Sequence, residues 1–173
     1  SDRSFLTLSP IVAVMTNIDR EHLESYRGFE DLQNAFVEFA NRVPFYGAVV
    51  ASADGDALRS VFPRITRRLL TYGIEPGCGP VDITADGIEL GPFTVRAEVK
   101  RGAGRTLDVA AGETLGRLEL HVPGRHNLSN ALAAVTVGLE LGLPFAKIAE
   151  GLSTFRGVER RFEVRGEPGG ILI

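Results

Sequence analysis

Apolar residues enter this chain first as short unbroken runs and later in alternation, and the change divides the expected fold. Ile11-Val12-Ala13-Val14-Met15 is a continuous apolar run closed by Thr16, the pattern of a strand buried on both faces. Gly47-Ala48-Val49-Val50-Ala51 repeats the pattern, and residues 68–72 give a third strand. Between the first two, residues 29–42 place Leu32, Ala35, Phe36, Phe39 and Ala40 on one helical stripe. Asp54 or Asp56 is placed to cap a short helix running to Val61. Strands alternating with helices predict βαβ units and a parallel sheet.

From Val81 to Val122 the pattern changes to short segments broken by glycine, at 82–90, 93–100, 106–110 and 118–122. Thr94-Val95-Arg96-Ala97-Glu98-Val99-Lys100 alternates polar with apolar, as a strand with one wet face does. These segments predict an antiparallel meander on one flank of the main sheet. Pro123-Gly124 ends it. A helix over 127–141 closed by Gly142 follows, then a second over 144–152 with Pro144 in its first turn. The expected fold class is α/β, a mainly parallel sheet flanked by helices, with a small antiparallel β annex. Ile171-Leu172-Ile173 looks like the start of a buried strand, and half a strand leaves ladder groups unpaired, so a fragment is expected.

Composition narrows the function classes without choosing one. The 173 residues suit one domain with a short extension, and 44% hydrophobic residues supply a core. A net charge of -3 and the absence of any Lys/Arg block argue against a nucleic-acid partner. Cys78, the single cysteine, sits in a Gly/Pro turn and suits a reducing compartment. No apolar run approaches a membrane span and the first residues do not resemble a signal peptide, so a cytoplasmic protein is expected.

Three constellations carry candidate chemistry. The first is Thr16-Asn17-Ile18-Asp19-Arg20-Glu21-His22-Leu23-Glu24, just past the first strand, where open α/β sheets gather ligands. A His among carboxylates suits a divalent cation or a phosphate oxygen, although spacing alone favours a solvated loop with a surface His. The second is Pro123-Gly124-Arg125-His126-Asn127-Leu128-Ser129-Asn130, where Asn127 and Asn130 share one face at a helix start. An Asn amide offers adenine a donor and an acceptor, but Asn is also common as a helix cap. The third is Phe155-Arg156-Gly157-Val158-Glu159-Arg160-Arg161-Phe162-Glu163, whose Arg pair suits phosphate, although in isolation the pattern favours a surface pair neutralised by Glu159 and Glu163.

Together with Pro44-Phe45-Tyr46-Gly47 and Thr71-Tyr72-Gly73, these segments resemble, in order and spacing, the Mur ligase family over nearly the whole chain. Ser1-Asp2-Arg3-Ser4-Phe5-Leu6, Pro44 to Gly47 and Gly157 to Phe162 most resemble the members that add L-alanine. The resemblance implies a Rossmann-like central domain, ATP and Mg2+ as cofactors, and UDP-N-acetylmuramate and L-alanine as substrates. It implies a two-step ligation: ATP phosphorylates the lactoyl carboxylate, and the amine of L-alanine displaces phosphate from the acyl phosphate. That reaction belongs to peptidoglycan precursor synthesis, hence to cell-wall biogenesis, cell shape and division. By position, His22 would hold magnesium and Asn17 would lie beside the substrate. Asn127 and Asn130 would hold adenine, with His126 packed near it. Arg161 would meet ATP phosphate, and Arg160 is a further candidate.

Some family features are missing. No G-x-x-x-x-G-K-[ST] phosphate loop occurs in the chain, and the family's magnesium-binding Glu precedes the Ser-Asp pair with which this chain opens. Residues 29–42 contain no Lys, so the carbamylated Lys of several relatives has no counterpart, and Glu38 is the available carboxylate. The expected division is residues 1–158 as a central ATP-binding domain without its phosphate loop, and 159–173 as a linker and first strand of a further domain. The chain alone is therefore expected to be inactive. A sister ligase for another amino acid or peptide, and a non-catalytic nucleotide-binding module, remain as alternatives.

Overall fold

The computed structural model describes residues 3–19, 26–104 and 112–157. The expected strand at 106–110 and the expected linker at 159–173 lie outside them. Six strands form one sheet in chain order: β1 (Val12–Met15), β2 (Ala48–Ser52), β3 (Leu69–Tyr72), β4 (Ile83–Leu90), β5 (Val95–Arg101) and β6 (Thr114–Leu120). β1 to β4 pair in parallel and β4 to β6 antiparallel. The helices are α1 (Phe29–Asn41), α2 (Asp56–Arg59), α3 (Arg125–Glu140) and α4 (Phe145–Thr154). The α/β sheet with an antiparallel annex is therefore as the pattern predicts. The annex continues the edge of the main sheet, joined to β3 through the register pair Tyr72↔Ile83.

A buried carboxylate secures that junction. Asp82, 2% exposed, accepts hydrogen bonds from the Thr71 N–H at 2.8 Å and the Thr71 hydroxyl at 3.0 Å. Its own N–H returns to the Thr71 carbonyl at 3.0 Å. A carboxylate can be buried so deeply only with such donors around it.

Two cores lie on opposite faces. Val49 and Ala51 of β2 join Ala13, Met15, Leu32, Leu58 and Val61 beneath α1 and α2. Ala48 and Val50 face the other way, into a core shared by β3 to β6, α3 and α4. Successive strand residues point to opposite faces, which is why β2 reads as an unbroken apolar run. β1 departs from the expectation of a strand buried on both faces: Ala13 and Met15 are buried, but Val14 is 42% exposed. It is the outermost strand among those described, and its second face opens on a cavity.

The helix ends follow local chemistry. α3 closes at Gly142 (φ 78), with the Leu143 N–H on the Gly138 carbonyl at 2.9 Å and the Gly142 N–H on the Leu139 carbonyl at 3.0 Å. That reciprocal pair is a Schellman closure, which favours a glycine at this backbone angle. Pro144 is the N-cap of α4. The expected Asp cap on α2 is absent: Gly55 holds the N-cap position without a side-chain hydrogen bond, and Asp54 bonds elsewhere.

Candidate functional site

Strand directions decide where chemistry can gather. β1 to β4 run one way, β5 runs back, and β6 returns to the first direction. The carboxyl ends of β1, β2, β3 and β6 therefore share one edge of the sheet, and α3 starts from that edge after the turn at Gly124 (φ 94). The loops after β1, β2 and β3 meet the first turns of α3 there, the usual place for ligands in an open α/β sheet.

Beside this edge lies a cavity of about 630 Å3. Val14 and Thr16 form one side, Ala134, Leu141 and Ile148 of α3, its end and α4 form the apolar wall, and Asn130 supplies a polar group. Its size and mostly apolar lining with a few polar groups suit a planar organic ligand.

The structure separates the two asparagines of the helix start. Asn130 is exposed and lines the cavity. Asn127 is half-buried and its amide Nδ2 donates to the Pro123 carbonyl at 2.6 Å, so part of its hydrogen-bonding capacity fastens the turn before the helix. His126 is exposed in the first turn. Asn17 is exposed beyond β1, its Oδ1 accepting the Thr16 hydroxyl at 3.2 Å. His22, Arg160 and Arg161 lie outside the described residues. Among the described residues no group of three or more His, Cys, Asp or Glu side chains could hold a metal.

Several residues at this edge escaped the sequence reading. Asp54, two residues past β2, accepts the Ile74 N–H at 2.8 Å and the Glu75 N–H at 2.9 Å on Oδ1, and the Ser129 hydroxyl at 3.1 Å on Oδ2. Arg125 Nε meets Glu75 at 2.9 Å, and its Nη2 donates to the Ile74 carbonyl at 3.3 Å. The available signal was position: Asp54 follows β2 as Asn17 follows β1.

Burial tunes two neighbours. The Tyr72 hydroxyl is fully buried without a hydrogen bond of normal geometry, and desolvation pushes its pKa up to about 12, with nearby Ser52 opposing and Asp54 reinforcing the shift. Burial, then the Asp54 charge, push the Cys78 thiol up as well. A thiol held protonated is a poor nucleophile, and the Cys78 side chain lies close against Gly73.

Comparison with known families bears on this arrangement directly. Residues 2–138 match the Mur ligase middle domain. The chain belongs to the Mur ligase family. It is 45% identical over 173 residues to a UDP-N-acetylmuramate–L-alanine ligase of Solibacter usitatus, covering all of this chain and 34% of that protein. It is 46% identical over 175 residues to the ligase of the same name from Acidobacterium capsulatum, covering 35% of that protein. The chain thus spans about a third of the length of the curated relatives it matches. Among solved structures it superposes on the UDP-N-acetylmuramate–alanine ligase of Thermotoga maritima with a TM-score of 0.74 and 26% identity, over 96% of this chain and 34% of that one. The Acinetobacter baumannii MurF structure shares the fold, at a TM-score of 0.72 and 23% identity over 92% of this chain and 32% of that one. The Mur ligase middle domain is thus recognisable in the sheet, in its antiparallel annex and in the helix that carries Asn130.

Proposed function

We propose that the protein carrying this chain is an ATP-dependent ligase that joins L-alanine to the lactoyl carboxylate of UDP-N-acetylmuramate, and that this chain supplies its adenine side. The observation that carries the reading is Asn130, near the carboxyl edge of a parallel sheet, opening from α3 onto a largely apolar cavity that continues along the helix to Leu141 and Leu143. The full-length similarity of the chain to ligases of that name supports the choice of substrates. Among the described residues no helix is long and apolar enough to cross a membrane, which accords with a reaction of nucleotide substrates in the cytoplasm. Residues 1–158 form the ATP-binding unit in this reading, and 159–173 lead towards a further domain.

The site residues divide by task. Asn130 reads the base edge through its amide, while Asn127 holds the turn from which α3 starts and presents its remaining amide capacity beside it. His126 flanks the base from the same turn. Asn17, past the end of β1, takes the place beside the acceptor substrate. Arg161, with Arg160 beside it, neutralises phosphate. Transfer of the γ-phosphoryl group to the carboxylate gives an acyl phosphate, the alanine amine attacks that carbonyl, and phosphate leaves. Positioning and charge neutralisation supply most of the rate in such a transfer. Magnesium in phosphoryl-transfer sites needs only one or two protein ligands beside the substrate phosphates. We assign His22 to the metal by position. The metal would supply charge neutralisation on the phosphates.

The test is made in the full-length protein. L-alanine-dependent release of ADP with UDP-N-acetylmuramate is expected. Asn130→Ala should weaken ATP binding by about 1–3 kcal/mol, the range for a bidentate base contact, with stability unchanged. An unchanged Michaelis constant for ATP removes the adenine assignment. Turnover with a different amino acid and none with L-alanine makes the protein a sister ligase.

A further inference from the structure

We propose that Asp54 is a positioning residue for the face of α3 that carries Asn130, acting through Ser129. The inference rests on the adenine reading of Asn130 and goes beyond it by naming what holds that asparagine in place.

Asp54 sits where three pieces of the sheet edge meet. One carboxylate oxygen takes two consecutive backbone N–H groups, those of Ile74 and Glu75, at 2.8 and 2.9 Å. This fixes the turn after β3. The other oxygen takes the Ser129 hydroxyl at 3.1 Å, which fixes α3 one residue before Asn130. The approach leaves no room for a side chain at residue 73: a Cβ on Gly73 would stand 2.8 Å from Asp54 Oδ1. The same turn grips α3 a second time, because Arg125 in the first turn of the helix meets both the Glu75 carboxylate and the Ile74 carbonyl. The two N–H links at 2.8 and 2.9 Å have the length of bonds to a charged acceptor, and the 3.1 Å Ser129 link, longer and of ordinary strength, ties the helix to the same carboxylate.

Packing supplies only part of this hold. Leu128, the fourth residue of α3, is buried in the core, whereas Arg125, His126 and Asn127 before it and Ser129 and Asn130 after it are not. Hydrophobic contacts set the position of the body of the helix, whereas the polar links set how its start meets the loop edge. Losing the Ser129 link frees the start of α3 to shift by the small amount that spoils a two-point base contact.

The experiment uses the full-length ligase and a graded series. Ser129→Ala removes the helix link and leaves the loop link intact. Asp54→Asn keeps the shape but replaces one acceptor oxygen with a donor. Ser129→Ala should raise the Michaelis constant for ATP about three- to tenfold, the worth of one hydrogen bond of ordinary net strength. Turnover at saturating ATP and the constants for L-alanine and UDP-N-acetylmuramate should stay as they are. Asp54→Asn should shift the same constant further in the same direction, and both variants should discriminate less between ATP and GTP. Ser129→Thr, which keeps the hydroxyl, should restore the wild-type constant. Equal changes for all three substrates, or lost thermal stability with an unchanged ATP constant, would overturn the proposal and leave Asp54 a purely structural residue. If Asn130→Ala itself leaves the ATP constant unchanged, the adenine reading fails. If Asn130→Ala raises it and the Asp54 and Ser129 variants do not, only the positioning proposal fails.

Discussion

β2 is buried at all five of its positions, whereas β5, three strands along the same sheet, buries Val95, Ala97 and Val99 and turns the residues between them outward. The two halves differ because of how their strands are connected. Parallel neighbours need crossover segments, and α1 and α2 on those crossovers cover the face of β1 to β3 that α3 and α4 leave open. Antiparallel neighbours need only turns, and among the described residues no helix packs on the outer face of β4 to β6. That face carries charge instead. Arg96 meets Glu119 at 3.0 Å, Lys100 meets Asp86 at 2.6 Å, and Arg117 meets Glu89 at 3.4 Å. The Glu119 side chain raises the Arg96 pKa, and Asp86 raises that of Lys100. Among the described residues the sheet is thus covered on both faces at β2 and on a single face at β5 and β6.

The largest expected effects test whether the halves stand or fall together. Leu70 of β3 and Leu118 of β6 are both fully buried in the core under α3 and α4. Truncation of either to Ala should cost about 2–5 kcal/mol. Because that core is shared, hydrogen exchange on the Leu118→Ala protein should show β2 amides losing protection along with those of β5. Loss confined to β4 to β6 would mean that the annex unfolds by itself and that the comparison is one between independent units.

A smaller effect, of opposite sign, is expected at the last residue of β3. Tyr72→Phe removes a buried hydroxyl that lacks a hydrogen bond of normal geometry, and should raise stability by about 1 kcal/mol. The alkaline limb tells the same story. The folded pKa is raised from 10.0 to about 12, so the contribution is complete below the lower value and is lost as pH rises towards the higher. Between those limits the free energy of unfolding should fall less steeply with pH in the Phe variant than in the wild type. Equal slopes would show that Tyr72 reaches a partner or solvent.

The smallest effect belongs to the charged face. Arg117 and Glu89 are 63% and 65% exposed, so Arg117→Ala should change stability by no more than about 1 kcal/mol, and less in high salt. At acid pH the sign follows Glu119, whose carboxyl is lowered chiefly by its hydrogen bond from Arg96. Its contribution is present above the ordinary carboxylate range and is lost as pH falls through the lowered value. A variant at Arg117 that destabilises as much as Leu118→Ala would remove the contrast between a packed and a solvated face.

Periodicity made the alternation of β5 and the unbroken run of β2 legible, because each side chain's exposure follows from the face it occupies. Gly142 was legible as a helix end since few other residues favour that backbone angle. β1 was misread because its five apolar residues look like those of β2, while its burial depends on which element lies beyond it. Asp54 was read as a cap because capping is a local rule, and its partners Ile74, Glu75 and Ser129 come from segments that only the folded sheet brings together. Asn127 and Asn130 are alike in sequence. Only the Pro123 carbonyl separates the one tied to its own turn from the one on the cavity.

β6 is the last strand of the sheet among the described residues, and an outermost strand offers unpaired N–H and C=O groups to any other chain. This one is a poor template. Its register against β5 shifts between Val99 and Lys100, beside Gly116, whose φ of 146 bends the strand. A Cβ at Gly116 would come within 2.9 Å of the Phe145 ring, so α4 lies directly against the irregular stretch. Arg117 and Glu119 then set charges along the rest of the edge. A bulge, a close helix and alternating charge are the means by which sheets avoid edge-to-edge growth. The glycine that lets α4 approach thereby also makes the β6 edge a poor partner for a further strand.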